Sequence, residues 1–139
     1  MSAKAQIIVR DGLFTDYPKI KDYDEFLGDR RLDLQAGRLV VADIGPHVAA
    51  GYACIDPDRF MAWPLLSRLC VSTEMRDQGI AITLLEHVVN LTRFARLYTS
   101  TEASNTVMLH IFKKVGGQAI GHADKLNFNE EREMLFRLK

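Results

Sequence analysis

The sequence predicts a mixed α/β (α+β) fold: a mostly antiparallel sheet of six to seven strands flanked by helices, with one central parallel βαβ pair. Three observations carry this. Amphipathic helical patterns at 78–94 and 105–115 each stand between short runs rich in apolar and β-branched residues. The first of these helices joins LCVS to LYTSTE, and strands joined by a crossover helix run parallel with a right-handed connection. The other strand runs follow one another through short turns, which makes them antiparallel.

Each element has its own local signal. AQIIVRD reads as a short opening strand. From Phe14 to Gly37 the chain is charged, with Tyr17, Ile20, Tyr23, Phe26 and Leu27 near helical spacing; Gly28 or Gly37 could end helices there. RLVVADIGPHVAAGYACID reads as a hairpin, with Leu39 to Asp43 and Val48 to Ile55 flanking an Ile-Gly-Pro turn. An irregular Pro57–Pro64 loop precedes a strand over Ser67 to Ser72. The helix from Gln78 to Phe94 lays Ala81, Leu84, Leu85, Val88, Leu91 and Ala95 on one stripe. The helix from Asn105 to Val115 has Val107, Met108, Ile111, Phe112 and Val115 on one face, Ser104 as N-cap and Gly116-Gly117 at its end. Closing strands run over Gln118 to Lys125 and Arg132 to Leu138, around the polar turn NFNEE.

The bulk properties narrow the function classes. A chain of 139 residues fits one domain over 1–139, with no repeat or linker-like segment. Eighteen basic residues balance eighteen acidic ones, so no global field draws in nucleic acid or an anionic membrane. MSAKAQIIVRDG lacks the long uncharged apolar stretch of a signal peptide, and no run approaches a membrane span. Cys54 and Cys70 form no CxxC or disulfide framework and read as buried reduced thiols, which suits a cytoplasmic protein.

The informative stretch is RDQGIA, from Arg76 to Ala81, at the seam between a strand and the strongest helix. A helix start offers unpaired N–H groups and a positive dipole end, which together hold an anion. A pyrophosphate reaches them only where the backbone is bare, and Gly79 supplies that. Ala81 keeps the first turn thin, and Arg76 adds a planar fork suited to phosphate oxygens. The bland alternative is a tight turn relaxed by Gly79 beside a solvated arginine. The pattern R-x-x-G-x-[GA] arises by chance in roughly one chain of this length in ten. It is neither a Walker loop nor a GxGxxG fingerprint.

In context, LCVSTEMRDQGIAITLLEHVV resembles the GNAT superfamily of acetyl-CoA-dependent N-acetyltransferases, with Val71 closing the strand five residues before Arg76. SNTVMLHIFKKVGG supplies a second family region, with Asn105, Phe112 and Gly116 at the family's spacing. The resemblance covers about Leu69 to Gly117.

The resemblance implies that the strands before and after the first helix splay to admit the pantetheine arm of acetyl-CoA. Leu69, Cys70 and Val71 would present backbone groups to the pantetheine and the acetyl carbonyl. Backbone N–H groups of Arg76, Asp77, Gln78, Gly79, Ile80 and Ala81 would hold the pyrophosphate. Asn105 would hydrogen-bond the cofactor near its pantetheine end, and Phe112 would line the thioester. Lys113 and Lys114 either reach the adenosine phosphate or form a solvated helix face. The implied reaction is direct attack of a neutral amine on the thioester. A strand N–H near Val71 would stabilise the oxyanion, and a base would take the amine proton.

Glu102 is the candidate base, and its alternative is a solvated carboxylate ahead of an N-cap; Glu74 reads as solvated. Many family members carry a tyrosine where this chain has Phe112, read as the acid that protonates the leaving thiolate. Without that phenol, the thiolate leaves unprotonated or another group substitutes. Tyr98 and His110 are the nearest alternatives, each with a plainer reading as strand packing or helix surface. Gly117 stands where the family has an aromatic residue. Cys70 lacks a partner histidine and reads as packing. His47 is a loop residue or part of a substrate pocket, and His122 has no second ligand at metal spacing, so no metal is expected.

Two functions follow as expectations. The first is a cytoplasmic N-acetyltransferase acting on a small-molecule or protein amine, with no nucleic-acid or membrane partner; the resemblance also makes a homodimer reasonable. The second is a CoA-binding regulatory or partner module of the same fold, favoured by Phe112. A plain interaction domain with an accidental motif is a third. The acceptor itself would be set by 14–37 and by the 57–64 stretch, where Phe60 and Trp63 line a site or cover the core.

Overall fold

A computed structural model describes residues 5–139. The opening run forms β1 (Ile7–Asp11), which pairs antiparallel with β2 (Leu39–Ile44), Val9 opposite Ala42. Between them lie a single 3-10 turn (Phe14–Asp16) and two short helices, α1 (Tyr17–Tyr23) and α2 (Arg31–Gln35). Gly28 does not close α1, which ends at Tyr23 with Asp24 as its cap, whereas Gly37 (φ 71°) ends α2 after the Ala36 cap, its N–H donating to the Leu34 carbonyl at 3.2 Å.

β2 pairs antiparallel with β3 (His47–Phe60), Val40 opposite Ala53, with an irregularity between Ala42 and Ile44. Both strands exceed their predicted lengths. The predicted irregular loop over Pro57–Pro64 is absent: β3 runs to Phe60 and, after only two residues, β4 (Trp63–Val71) begins. Met61 and Ala62 both have positive φ, 50° and 71°, the geometry of a tight hairpin turn. That turn lacks the Asn-Gly signature which marks such turns in a sequence, and two nearby prolines argue against strand. A ladder admits proline wherever no N–H is needed.

α3 (Ile80–Val89) follows, shorter than predicted at both ends. Ile80, Leu84, Leu85 and Val88 are buried, but Leu91 and Ala95 lie beyond the helix. The chain leaves it at Asn90, a residue type that competes for backbone hydrogen bonds. The Leu91 carbonyl instead accepts from Lys139 Nζ at 2.7 Å. β5 (Tyr98–Glu102) is parallel to β4, Leu65 opposite Tyr98, as the βαβ reading requires. α4 (Thr106–Lys114), β6 (Gln118–Ala123) and β7 (Glu133–Arg137) complete the chain. The seven-stranded sheet has the order β1-β2-β3-β4-β5-β7-β6, with β7 antiparallel to both β5 and β6.

Two compact units are distinguishable: the described residues through Ile55 with Arg68–Val88, and Asp56–Ser67 with Val89–Lys139. In the first, Leu39, Val41, Tyr52 and Cys54 share an apolar cluster with Ile20 and Leu34. Strand alternation points Val40, Ala42 and Ala53 to the opposite face, where they too are fully buried. In the second, Phe112 and Phe136 meet at 5.2 Å between ring centroids, beside buried Leu97 and Leu138. No helix among the described residues is long and apolar enough to cross a membrane.

Candidate functional site

The first unit brings Leu69, Cys70 and Val71 and the stretch Arg76 to Ala81 together at the C-terminal end of β4. The Ser72 N–H donates to the Ala50 carbonyl at 2.8 Å, and a 3-10 turn over Thr73–Met75 redirects the chain. Arg76 is extended (φ −68°, ψ 161°), Asp77 has φ +63° and Gly79 has φ +82°. The Gly79 carbonyl accepts from the Thr83 N–H at 3.0 Å and from its hydroxyl at 2.8 Å. Thr83 thus closes the first helical bond, and the N–H groups ahead of it have no intrahelical partner.

Gly79 meets two requirements. Its φ lies in the left-handed region, and a Cβ built there would point into open space, with no atom within 4 Å. Nothing among the described residues forbids a side chain by contact, so the bare patch faces outward. Gly51 on β3 sits below the same junction: a Cβ would lie 2.9 Å from Ile80 Cγ2 and 3.2 Å from the Cys70 carbonyl. Arg76 Nε donates to the Val71 carbonyl at 3.3 Å, and Nη2 contacts the Glu25 carboxylate.

Cys70 is 4% exposed, with Sγ 3.8 Å from the Tyr23 carbonyl. Burial pushes its thiol up, away from the reactive thiolate. This favours the packing reading. A cleft of about 570 Å³ in the same unit is lined by Lys19, Asp22, Tyr23, His47, Ala49 and Glu74, among others. His47 is therefore a cleft residue, and Glu74 shares that lining.

The remaining predicted residues belong to the second unit. Tyr98 is 8% exposed, its ring is stacked on Phe60 at 4.7 Å, and its hydroxyl accepts from Arg96 Nη1 at 3.4 Å. Arg96 also lies over the Trp63 ring, 4.6 Å from its centroid. Glu102 ends β5 and is exposed. Local desolvation and then the Glu131 carboxylate raise it above the ordinary range for glutamate. Glu131 itself is held low by hydrogen bonding from Ser104, whose N–H contacts its Oε1.

Asn105, not Ser104, is the N-cap of α4: its Oδ1 accepts from the Met108 N–H at 3.2 Å. Ser104 lies one residue ahead of the cap, and its N–H donates to Glu131. Of the predicted apolar face of α4, Phe112 is 2% exposed whereas Val107 is 68% exposed. Gly117 follows from the helix end. Its N–H donates to the Phe112 carbonyl at 2.8 Å, and a Cβ would stand 2.7 Å from that oxygen. An aromatic residue cannot occupy this position with the backbone as it is.

Sequence reasoning missed the partners of these groups. Glu25 meets Arg76 across 51 positions, and Glu131 meets Ser104 across 27. No local periodicity signals either contact.

A family model described as the acetyltransferase (GNAT) family matches residues 8–117. The chain belongs to the GNAT acetyltransferase family. Solved structures agree on the fold of this GNAT protein. A GNAT-family acetyltransferase from Bacillus cereus ATCC 10987 superposes with TM-score 0.85 at 23% identity, covering 96% of this chain and 97% of that one. A ribosomal-protein-alanine N-acetyltransferase from Brucella melitensis gives 0.77 at 19% identity, covering 94% and 98%. A chain of the NatC complex bound to Gag peptide and CoA gives 0.73 at 19% identity, covering 96% and 98%. No curated protein matches the sequence significantly.

Proposed function

We propose that this GNAT protein is an N-acetyltransferase that transfers the acetyl group of acetyl-CoA directly to an amine. The observation carrying this reading is the bare, left-handed Gly79 at the unpaired N-terminus of α3, in a member of an acetyltransferase family. When bound, acetyl-CoA supplies an activated acetyl thioester. In this reading, the N–H groups from Arg76 through Ala81 bind the pyrophosphate, and Leu69, Cys70 and Val71 align the pantetheine and the acetyl carbonyl. Asn105, with Oδ1 engaged in its cap, offers its Nδ2 to the pantetheine end. Phe112, which the family resemblance assigns to the thioester, is 2% exposed and packs on Phe136.

Glu102 takes the amine proton. Its raised affinity for protons brings it closer to the operating pH, which suits a general base. Tyr98 is the proposed acid for the leaving thiolate, oriented by its stacking on Phe60 and by Arg96. The chain works as one domain, and the two buried free cysteines suit a reducing cytoplasm. Two structures of similar fold are named ribosomal-protein-alanine N-acetyltransferases, and a third is of a complex bound to a peptide and CoA, which makes alanine-terminated peptides the first acceptors to test. A homodimer belongs to the same reading and is checked by light scattering.

Calorimetry with acetyl-CoA, followed by transfer to a panel of small amines and alanine-terminated peptides, tests the assignment. Micromolar binding with turnover supports it; no binding defeats it. A second reading, a CoA-binding partner module, is favoured by Phe112, which has no hydroxyl where many family members carry a tyrosine. Binding without turnover across the panel would select that reading.

A further inference from the structure

Arg76 has a partner that the cradle does not use. Its guanidinium contacts Glu25, with the two side chains 45% and 61% exposed. Such a solvated pair is weak and easily exchanged for another. Glu25 begins the connection between α1 and α2, and both ends of that connection are firmly held. Asp24 Oδ1 accepts from the Tyr52 hydroxyl at 2.7 Å and from the Phe26 N–H at 3.2 Å. Arg30 is 2% exposed, lies 3.3 Å from Asp24 and 3.4 Å from Asp33, and donates to the Leu27 carbonyl at 2.8 Å. Between these anchors, Phe26 is 40% and Leu27 95% exposed. The Glu25 contact joins this apolar tip to the loop ahead of α3.

We propose that Glu25 is a positioning residue: it straps the α1–α2 connection to the cradle through Arg76, and an arriving CoA pyrophosphate releases the strap by taking Arg76. The inference rests on reading Arg76 to Ala81 as the cradle. A phosphate oxygen pair matches the guanidinium fork, and the pyrophosphate as a whole brings two negative charges against the single charge of a carboxylate. Coupling of this kind is reciprocal: while Glu25 holds Arg76 the cofactor binds more weakly, and once the cofactor holds Arg76 the tip is free. Binding at the cradle thereby changes the flank carrying Phe26 and Leu27.

The sign of the effect separates this from a structural role. Glu25→Gln should tighten CoA binding roughly two- to five-fold, whereas Arg76→Met should weaken it. In the Arg76→Met background, Glu25→Gln should change nothing, because the strap is already gone. Amide hydrogen exchange over 25–28 should speed up when CoA is added to the wild type. In Glu25→Gln it should be fast with or without CoA. Unchanged or weaker CoA affinity in Glu25→Gln, equal tightening in both backgrounds, or exchange unaltered by CoA would each overturn the strap while leaving the cradle standing. Failure of CoA to bind the wild type would remove the cradle, and the strap with it.

Discussion

Gly51 lies directly beneath Ile80, so close that a single added methyl would stand 2.9 Å from Ile80 Cγ2. Cys70 O and Val71 Cγ2 close the other sides at 3.2 and 3.3 Å. The strand carrying Gly51 therefore sets the height at which α3 begins, and with it the placement of the cradle. Gly51→Ala should cost about 1–3 kcal/mol of stability by overpacking. Urea denaturation reads this directly. An unchanged midpoint would mean that the junction gives way freely.

Gly79→Val tests the cradle from the opposite side, because open space surrounds the absent Cβ. The substitution forces a β-branched residue into φ +82° and covers the exposed N–H groups. CoA affinity should fall at least about ten-fold, and stability by about 1–3 kcal/mol. Gly79→Asn, which tolerates that φ better, should recover more stability than affinity. Calorimetry and thermal denaturation on the same samples separate the two losses.

Arg10 makes a stability switch at low pH. Its Nη1 and Nη2 each reach Asp16 at 2.9 Å, and its Nε reaches Asp43 at 2.9 Å. Burial alone would raise both carboxyls, but the guanidinium with the Leu13 and Ala49 N–H groups holds them below the usual range. Depressed carboxyl values stabilise the fold above the unfolded-state value, near 3.9. That contribution is lost as pH falls through the folded values. Urea midpoints between pH 7 and pH 2.5 should therefore drop steeply at the acid end. Arg10→Leu should flatten that drop, and an equally steep acid limb in the variant would refute the assignment.

Glu102 predicts a pH dependence of turnover. A general base works ionised, so the rate should rise with pH through the raised Glu102 value and then level. Glu131→Gln removes the neighbouring charge and should move that rise to lower pH. Glu102→Gln should lower kcat roughly 10²-fold or more with little change in CoA affinity. A pH–rate profile identical in wild type and Glu131→Gln would remove the coupling between these carboxylates.

The elements and the bare strand–helix seam at Gly79 were legible in the sequence because they depend on short-range physics. The apolar run LVVA and the part of the 3.6-residue stripe through Leu84, Leu85 and Val88 report burial one element at a time. A strand–helix–strand order leaves a single common handedness, so the parallel pairing of β4 with β5 followed from connectivity. The bare backbone at Gly79 was readable for the same reason: it needs one residue without a side chain at one helix start.

Tertiary structure decided what depends on partners far along the chain. Asn105 caps α4 while the Ser104 N–H pairs with Glu131, and the Leu91 carbonyl, past the end of α3, takes Lys139 as its partner. Phe60 and Trp63 became neighbours of a tight turn rather than a loop, fixed by Tyr98 and Arg96. Glu25 met Arg76, and Gly51 met Ile80, only when separate strands and helices came together. Local propensity chooses elements, whereas charge pairing and close packing act through space. The sequence therefore supplied the bare seam, and the fold chose which carboxylate would hold its arginine.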